Sequence, residues 1–226
     1  MSHLTKISVS LESVAAACEP LSLLSDPVPK RLFDIGLCVF GLLVLSPLWA
    51  LIAMSIRIED GAPVLLRQRR AGRGGRLFNL FKFRTMRESA EGVGVIEDRQ
   101  RDLRVTGVGR VLRATALDEL PQLFNILKGD MSFVGPRALP LLIEDEESAR
   151  YRSIQEVEGY TLRSMIRPGL TGVAQIFARK DLPRRQKFRY DLLYIKKWNF
   201  ALDLRLIALS VWITVHGRWE SRGKKV

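Results

Sequence analysis

Residues 35–56 read IGLCVFGLLVLSPLWALIAMSI and contain no charged side chain. At a rise of ~1.5 Å per residue, a straight helix of this length is about 33 Å long, enough to cross the ~30 Å hydrocarbon core of a bilayer. Length alone therefore allows a single transmembrane helix. The alternative is a re-entrant hairpin, which enters and leaves the membrane on the same face.

Two features of the apolar run favour the hairpin. At its centre stands Pro47, which removes a backbone hydrogen bond and kinks a helix, preceded by Ser46, which can help to satisfy the freed groups. Basic residues also flank both ends of the run, and positive flanks favour the cytoplasmic side. They are Lys30, Arg31, Arg57, Arg67, Arg69, Arg70 and Arg73. Because proline also occurs in spanning helices, the spanning alternative stays open at this point.

The composition of the chain indicates an anionic partner at a membrane. The 226 residues carry 36 Lys+Arg against 24 Asp+Glu, a net charge of +12, and 47% are hydrophobic. Basic chains usually meet polyanions, and a long apolar run beside them favours a membrane surface or lipid phosphates. We predict no nucleic-acid partner, because no nucleic-acid-binding module is recognised.

The few cysteines and histidines argue against a zinc site or a histidine-based acid–base site. Cys18 and Cys38 do not have metal-ligand spacing, and Cys38 falls inside the apolar run. The two histidines, His3 and His216, lie near opposite ends of the chain. We expect both cysteines to be inert thiols in a reducing compartment.

The chain divides into three predicted parts. Residues 1–29 are a flexible N-terminal extension, since the stretch before AAAC (15–18) is too polar for a signal peptide. Residues 30–57 form the re-entrant membrane helix. Residues 58–226 form a soluble-type domain with C-terminal interfacial helices. The predicted fold is mainly α with a small β-hairpin (α+β): a monotopic membrane protein with one re-entrant, Pro-kinked helix hairpin and interfacial amphipathic helices.

Within the soluble-type domain, local patterns predict most elements. Residues 61–84 indicate two short strands around a Gly-Arg turn, followed by a flexible polar loop over 85–106. Apolar residues recur at helical spacing in 103–127, and 143–166 is predicted to be a polar, exposed helix or pair of helices. Residues 167–176 suggest a turn and a short strand. The stretch 184–215 favours one or two amphipathic helices at the membrane interface, with ordinary core packing as the alternative.

Two adjacent acids, Asp118 and Glu119, stand just before Pro121. Proline is tolerated in the first helical turn, so we predict a helix that begins near Asp118. The helix dipole would then lower the pKa of the carboxylate, which suits an anionic nucleophile or a metal ligand. The alternative is that Asp118 is only an N-cap, a role that aspartate favours.

Basic residues surround this acidic pair in the sequence. A carboxylate pair between basic side chains could hold Mg²⁺ and a diphosphate together, because Mg²⁺ takes one or two carboxylates plus phosphate oxygens and arginine binds phosphate with two donors. A solvated charged face is the alternative. The basic residues are Lys82, Arg84, Arg110, Arg113, Lys128 and Arg137.

Five stretches together carry a resemblance to a known family. They are KRLFDIGLCVFGLLVLSPLWALIA, APVLLRQRRAG, LFNLFKFRTM, GRVLRATALDELPQLFNILKGDMSFVGPR and RPGLTGVAQI. In this order, between about residues 30 and 215, they resemble the bacterial sugar transferases, the monotopic polyprenyl-phosphate phosphoglycosyl transferases. Two positions depart from the expected pattern. Ala116 stands where serine is common, and Arg69 stands where an acid is common.

The resemblance implies an activity and its partners. Members transfer a sugar 1-phosphate from a nucleotide-diphospho-sugar, usually a UDP-sugar, to a polyprenyl phosphate such as undecaprenyl phosphate, and release the nucleoside monophosphate. This step starts lipid-linked glycan assembly, for example of exopolysaccharide, capsule or O-antigen. The resemblance also implies that the enzyme lies in the bacterial inner (cytoplasmic) membrane, with its catalytic domain (58–226) on the cytoplasmic face. Homo-oligomerisation is left open.

The resemblance also implies roles for individual residues. Asp118 is the nucleophile that forms a covalent phosphosugar intermediate, and Glu119, with Asp118, belongs to the Mg²⁺ site. The Ser-Pro break of the membrane helix maps onto Ser46 and Pro47. The substrate phosphate-binding positions map onto Lys82, Arg84, Arg113, Pro136 and Arg137.

Two other functions compete with this interpretation. One is a glycosyl transferase that moves only the sugar and releases nucleoside diphosphate. The other is a basic, membrane-bound interaction or scaffold protein in which Asp118 is merely a cap.

Overall fold

We describe a computed structural model of the chain that covers residues 27–87, 104–144, 151–179 and 181–216. The predicted N-terminal extension up to residue 26 and most of the predicted loop over 85–106 lie outside these residues. The helices are α1 (Val28–Asp60), α2 (Gly107–Thr115), α3 (Gln122–Lys128), α4 (Tyr160–Arg163), α5 (Val173–Phe177), α6 (Arg184–Lys197) and α7 (Phe200–Val215). The strands are β1 (Leu65–Ala71), β2 (Leu77–Phe83), β3 (Ser132–Val134), β4 (Leu142–Glu144), β5 (Tyr151–Ser153) and β6 (Gly169–Thr171).

Helix α1 is long and apolar and exposes much of its apolar surface. It has 33 residues, with Pro47 inside it, and starts after Pro27. Along one stripe it packs on the rest of the protein, whereas Phe40, Leu43 and Ile58 on other faces are 63–78% exposed. Within the described residues it is the one helix long and apolar enough to cross a membrane. α1 therefore coincides with the predicted membrane segment.

The N-terminal end of α1 is bound to the domain by two basic side chains. The ammonium group of Lys30 is buried and lies 2.5 Å from Asp203 Oδ2 on α7. The Arg31 guanidinium donates to the carbonyls of Ile126 (2.6 Å) and Leu127 (2.9 Å), near the end of α3. Carbonyls in the last turn of a helix lack the usual intrahelical partners. Arg31 binds two of them, although the Ile126 carbonyl also accepts from Gly129 N at 3.0 Å.

The C-terminal end of α1 is bound to the same domain. Glu59 accepts hydrogen bonds from the backbone N–H groups of Gly107 (2.6 Å) and Val108 (2.8 Å), the first residues of α2. Arg84, which follows β2, donates to the Asp60 carbonyl at 2.5 Å and pairs with its carboxylate at 3.1 Å. Both ends of the apolar helix thus make polar contacts with one folded unit.

Strands β1 and β2 form the predicted antiparallel hairpin, in a register that pairs Leu65 with Phe83 and Ala71 with Leu77. The connecting turn contains Gly74 and Gly75 at φ 62° and 76°, a backbone conformation that glycine adopts without steric cost. A fully buried Asn125 on α3 joins the hairpin. It accepts from Phe81 N (3.0 Å) and donates to Asn79 O (2.7 Å). α3 is therefore fixed beside β2.

The parallel pair β3–β6 brings two glycines into backbone contact. A Cβ on Gly135 would lie 2.4 Å from Arg167 O, and a Cβ on Gly169 would lie 2.0 Å from Gly135 N. Only glycine allows this approach. The contact directs the segment that follows β3, including Pro136 and Arg137, alongside β6, where Gly169 N donates to Pro136 O at 2.8 Å.

The prediction of a polar helix over 143–166 was wrong for the described part of that stretch. The chain forms β4 and β5 as an antiparallel pair, a 3₁₀ turn over Ile154–Glu156 and the four-residue α4. Ile154, Val157 and Tyr160 recur every three residues and are buried against Leu139 and Phe188. This apolar row accounts for a tight turn in place of a solvated helix.

The predicted helices over 184–215 are confirmed as α6 and α7. Tyr194 and Ile195 of α6 and Leu206 and Ile213 of α7 pack around Val134 of β3. The opposite side of α7 exposes Phe200, Leu204, Leu209, Val211, Trp212 and Val215, each 40–75% accessible. The mainly helical class with a small hairpin is confirmed, and the pairs β3–β6 and β4–β5 are additional to the prediction.

Replacing Lys30 by Met should destabilise the fold, because Asp203 would remain as a buried charge without its cationic partner. We expect a loss of about 3 kcal/mol in the free energy of unfolding, measured by denaturant titration of the detergent-solubilised protein. Arg179→Met is the control, since its pair with Asp181 is exposed. An equal effect of both substitutions would contradict the structural role of Lys30.

Candidate active site

The acidic pair lies in a 3₁₀ turn, Leu117–Glu119, between α2 and α3. α2 is capped by Ala116, which has a left-handed backbone (φ 58°), and α3 begins at Gln122, after Pro121. The predicted helix start near Asp118 coincides with the start of the 3₁₀ turn, which has both acids in its first turn, whereas the α-helix itself begins later. The cap alternative is wrong, because the cap residues are Ala116 for the 3₁₀ turn and Pro121 for α3.

Apolar packing explains the turn. Leu117 and Leu120, three residues apart, both pack against the cluster of Ile52, Ile56, Phe83 and Leu112. Residues three apart share a face in a 3₁₀ helix. The two acids between these leucines are then left on the other side of the turn.

Glu119 is held by two basic side chains. Its Oε1 atom lies 2.9 Å from Lys82 Nζ of β2 and 2.7 Å from Arg137 Nη2. Burial opposes ionisation of the carboxyl, but Arg137 and Lys82 outweigh it and lower the pKa of Glu119 to about 2. Glu119 is therefore an anion at neutral pH.

Asp118 has the opposite electrostatic environment. Burial raises the pKa of this carboxyl, and the Glu119 anion adds to the rise. Lys82, whose Nζ lies 3.5 Å from Asp118 Oδ2, and then Arg137 and Arg113 oppose it. The predicted lowering of the pKa is wrong, because burial and the neighbouring Glu119 carboxylate outweigh the opposing positive charges.

The two carboxylates fit one kind of divalent-cation site. Within the described ranges, no group of three or more His, Cys, Asp or Glu side chains is gathered. The hydrogen bonds of Glu119 to Lys82 and Arg137 both use Oε1. Glu119 Oε2 is not used by either of these hydrogen bonds. Mg²⁺ commonly takes one or two carboxylates and completes its shell with water and substrate phosphates, and the donor set here suits that pattern.

The structure brings Lys82, Arg113 and Arg137 around the acidic pair and uses Arg84 elsewhere. Arg113 Nε donates to Thr85 Oγ1 at 2.9 Å, and its charge lowers the pKa of Asp118. Arg84 is 3% exposed and donates to carbonyls at the C-terminal end of α1. Phosphate binding stays a prediction for Lys82, Arg113 and Arg137, whereas the contacts of Arg84 are those of a structural clamp.

The other predicted positions are Pro136, which directly precedes Arg137, and Ser46 and Pro47, which lie on α1. Pro136 lines a shallow surface pocket together with Gly72 and Tyr160. Pro47 lies within the exposed middle of α1, and Ser46 Oγ donates to the Leu43 carbonyl at 2.9 Å. That bond satisfies a hydroxyl in the helix segment that proline weakens.

Arg70 is a further basic group of the site that the sequence indicated only as a flank of the membrane segment. On β1, it donates to Gln68 Oε1 at 2.6 Å. Burial lowers the pKa of Arg70, as do the nearby charges of Arg137 and Arg184, while Glu119 raises it. Its place in the stretch APVLLRQRRAG, which carries part of the resemblance, is a signal that could have identified it.

Comparisons with known proteins return one consistent group of relatives. The family model described as "Bacterial sugar transferase" matches residues 25–217. The chain is 42% identical over 187 residues to the UDP-glucose:undecaprenyl-phosphate glucose-1-phosphate transferase of Klebsiella pneumoniae, a match of 80% of this chain and 39% of that protein. It is 38% identical over 197 residues to the protein of the same name from Caulobacter vibrioides, covering 85% of this chain and 72% of that one.

Another relative acts on a different sugar. The UDP-N-acetylgalactosamine-undecaprenyl-phosphate N-acetylgalactosaminephosphotransferase of Aeromonas hydrophila is 38% identical over 196 residues. That match covers 84% of this chain and 45% of that protein. The chain thus spans under half the length of two of these relatives and about seven tenths of the third.

Proposed function

The chain belongs to the bacterial sugar transferase family, and on this basis we propose that it transfers a sugar 1-phosphate from a UDP-sugar to undecaprenyl phosphate and releases UMP. The observation that carries the proposal is the cluster in which Lys82 and Arg137 hold Glu119 while Asp118 stays beside them. Since the named relatives differ in the sugar, glucose or N-acetylgalactosamine, the proposal is limited to the class of UDP-sugars. The product would start a lipid-linked glycan such as exopolysaccharide, capsule or O-antigen.

In the first step, an oxygen of the Asp118 carboxylate attacks the phosphorus that carries the sugar. A new P–O bond forms to Asp118, the bond from that phosphorus to the bridging oxygen breaks, and UMP leaves with the electron pair. A carboxylate needs no deprotonation at this moment, so no general base is required. Burial of Asp118 supports this role, because a poorly solvated anion is a stronger nucleophile when it is ionised.

In the second step, a phosphate oxygen of the lipid acceptor attacks the same phosphorus, and the bond to Asp118 breaks. The carboxylate is regenerated, and the product is a polyprenyl diphosphate sugar. Lys82, Arg113 and Arg137 offset the repulsion between Asp118 and an anionic diphosphate, which is the main electrostatic obstacle to attack. A Mg²⁺ ion held by Glu119 and Asp118 would add charge neutralisation at the phosphate oxygens.

We also propose that α1 is re-entrant and that the domain lies on the cytoplasmic face. Arg31 and Glu59, near opposite ends of α1, bind the ends of α3 and α2 in one folded unit. A straight helix of 33 residues is about 50 Å long and would carry its two ends to opposite faces of a bilayer. A bend near Pro47 keeps both ends on one face. The exposed apolar side chains of α7 then face the membrane–water interface.

Asp118→Asn should abolish turnover without unfolding the protein. The amide is nearly isosteric but is not a nucleophile, so we expect a loss of about 10³-fold or more in UMP release from a panel of UDP-sugars with undecaprenyl phosphate. Asp181→Asn, at an exposed site, is the control. Release of UDP by the unaltered protein would support a glycosyl transferase. Unchanged glycan assembly with the Asp118→Asn variant would support a scaffold.

The rate should fall at acid pH as Asp118 becomes protonated. Burial raises the pKa of Asp118, and the positive charge of Lys82 partly offsets that rise. Lys82→Met removes this charge and should therefore raise the pKa of Asp118 further. The acid limb of the kcat/KM profile should therefore move to higher pH, whereas Lys196→Met, an exposed control, should leave the limb in place. A shift to lower pH would exclude Asp118 as the group that must ionise.

The topology is testable by cysteine labelling. In a variant without Cys18 and Cys38, single cysteines at Val28 and Ile58, both exposed near the ends of α1, should react with a membrane-impermeant maleimide from the same side of sealed vesicles. A cysteine at Arg179 reports the side that carries the domain. Labelling of the two helix ends from opposite sides would show that α1 spans the membrane.

A further inference from the structure

A buried ion pair supports the backbone of Arg137. Arg163, the last residue of α4, is 5% exposed, and its Nε donates to Asp191 Oδ2 at 3.0 Å. Its Nη2 donates to the backbone carbonyl of Arg137 at 2.8 Å. The same guanidinium lies over the ring of Phe188, 4.4 Å from its centroid. The Arg163 side chain thus has three fixed partners, two on α6 and one at Arg137.

The contacts of Arg163 fix the backbone of Arg137, whose side chain is half-exposed. The side chain of Arg137 is 49% exposed, yet it must keep its 2.7 Å contact with Glu119. A long arginine side chain on a mobile backbone loses such a contact easily, because many rotamers are available to it. Fixing the Arg137 carbonyl through Arg163, and the Pro136 carbonyl through Gly169 N, restricts where the guanidinium can go.

The composition of the pair also favours a positioning role. Asp191 is 3% exposed, and burial raises the pKa of its carboxyl against the opposing charge of Arg163. A buried ion pair is often no more stabilising than well-packed apolar residues of similar volume. Stability alone is therefore a weak explanation for the presence of this ion pair. A guanidinium, by contrast, has the several donors needed to bind a carboxylate and a carbonyl at once.

We propose that Arg163 and Asp191 are positioning residues, which hold Arg137 against Glu119 for the phosphate-transfer steps; this rests on the proposed function. Through this pair, α6 controls the geometry of the acidic pair although it contributes no group to the reacting atoms. The contrasting hypothesis is an ion pair that serves only the stability of the cluster around Phe188.

The test is a double-mutant cycle between Arg163 and Arg137, with kcat/KM for UMP release as the readout. Arg163→Lys keeps the positive charge but cannot donate to Asp191 and to the Arg137 carbonyl at once. We expect it to lower kcat/KM by about tenfold or more when Arg137 is unaltered. In the Arg137→Lys background, the same substitution should lower kcat/KM by less than about twofold, because the guanidinium that Arg163 positions is already absent. Thermal unfolding monitors the fold of each variant.

Equal losses in the two backgrounds would overturn the positioning role, since a purely structural pair lowers the active fraction regardless of Arg137. If Arg163→Lys does not fold, Asp191→Asn replaces it in the same cycle, because it removes the negative charge that holds Arg163 but keeps an oxygen acceptor that helps the variant to fold. Arg179→Lys, in an exposed pair with Asp181, should have no effect in either background. If the unaltered protein releases no UMP from any UDP-sugar, the proposed function itself fails, and the positioning role fails with it.

Discussion

The two charged ends of α1 fix the unit that carries the acidic pair. Glu59 binds backbone N–H groups at the start of α2, and Arg31 binds backbone carbonyls at the end of α3. Each charge complements the dipole of the helix that it meets, negative at an N-terminus and positive at a C-terminus. Asp118 and Glu119 lie in the turn between these two helices. The apolar helix therefore also holds in place the two helices on either side of the turn that carries the acidic pair.

The neighbouring carboxylates differ because their cations are distributed unequally. Both side chains are 13% exposed, so burial alone does not separate them. Glu119 Oε1 has two cations within 2.9 Å, whereas Lys82 Nζ lies 3.5 Å from Asp118 Oδ2. Lys82 and Arg137 therefore stabilise the Glu119 anion first, and that anion in turn discourages ionisation of Asp118. One acid serves as a fixed negative charge and the other keeps higher basicity.

Local patterns in the sequence predicted the elements that depend on local physics. The hairpin followed from its strand and turn composition, α1 from its apolar run, and the acidic pair with Lys82 and Arg137 from its motif. Local patterns could not predict contacts between distant parts of the chain. Lys30 and Asp203 are 173 residues apart in the sequence, and Arg163 and Asp191 are 28 residues apart. The role of Arg84 at α1 and the raised pKa of Asp118 likewise depend on tertiary burial, which no local pattern encodes.

The charge balance of the site bears on the order of the proposed reaction. Four cations, Arg70, Lys82, Arg113 and Arg137, interact electrostatically with the pair of carboxylates, so this cluster carries excess positive charge. A diphosphate donor and a phosphate acceptor would both be attracted to these cations, and two such polyanions would repel each other strongly if bound together in a partly desolvated space. Sequential occupancy would avoid that repulsion, because in the proposed reaction UMP carries its charge away before the lipid phosphate enters. The proposed covalent bond to Asp118 would hold the sugar phosphate in place between the two events.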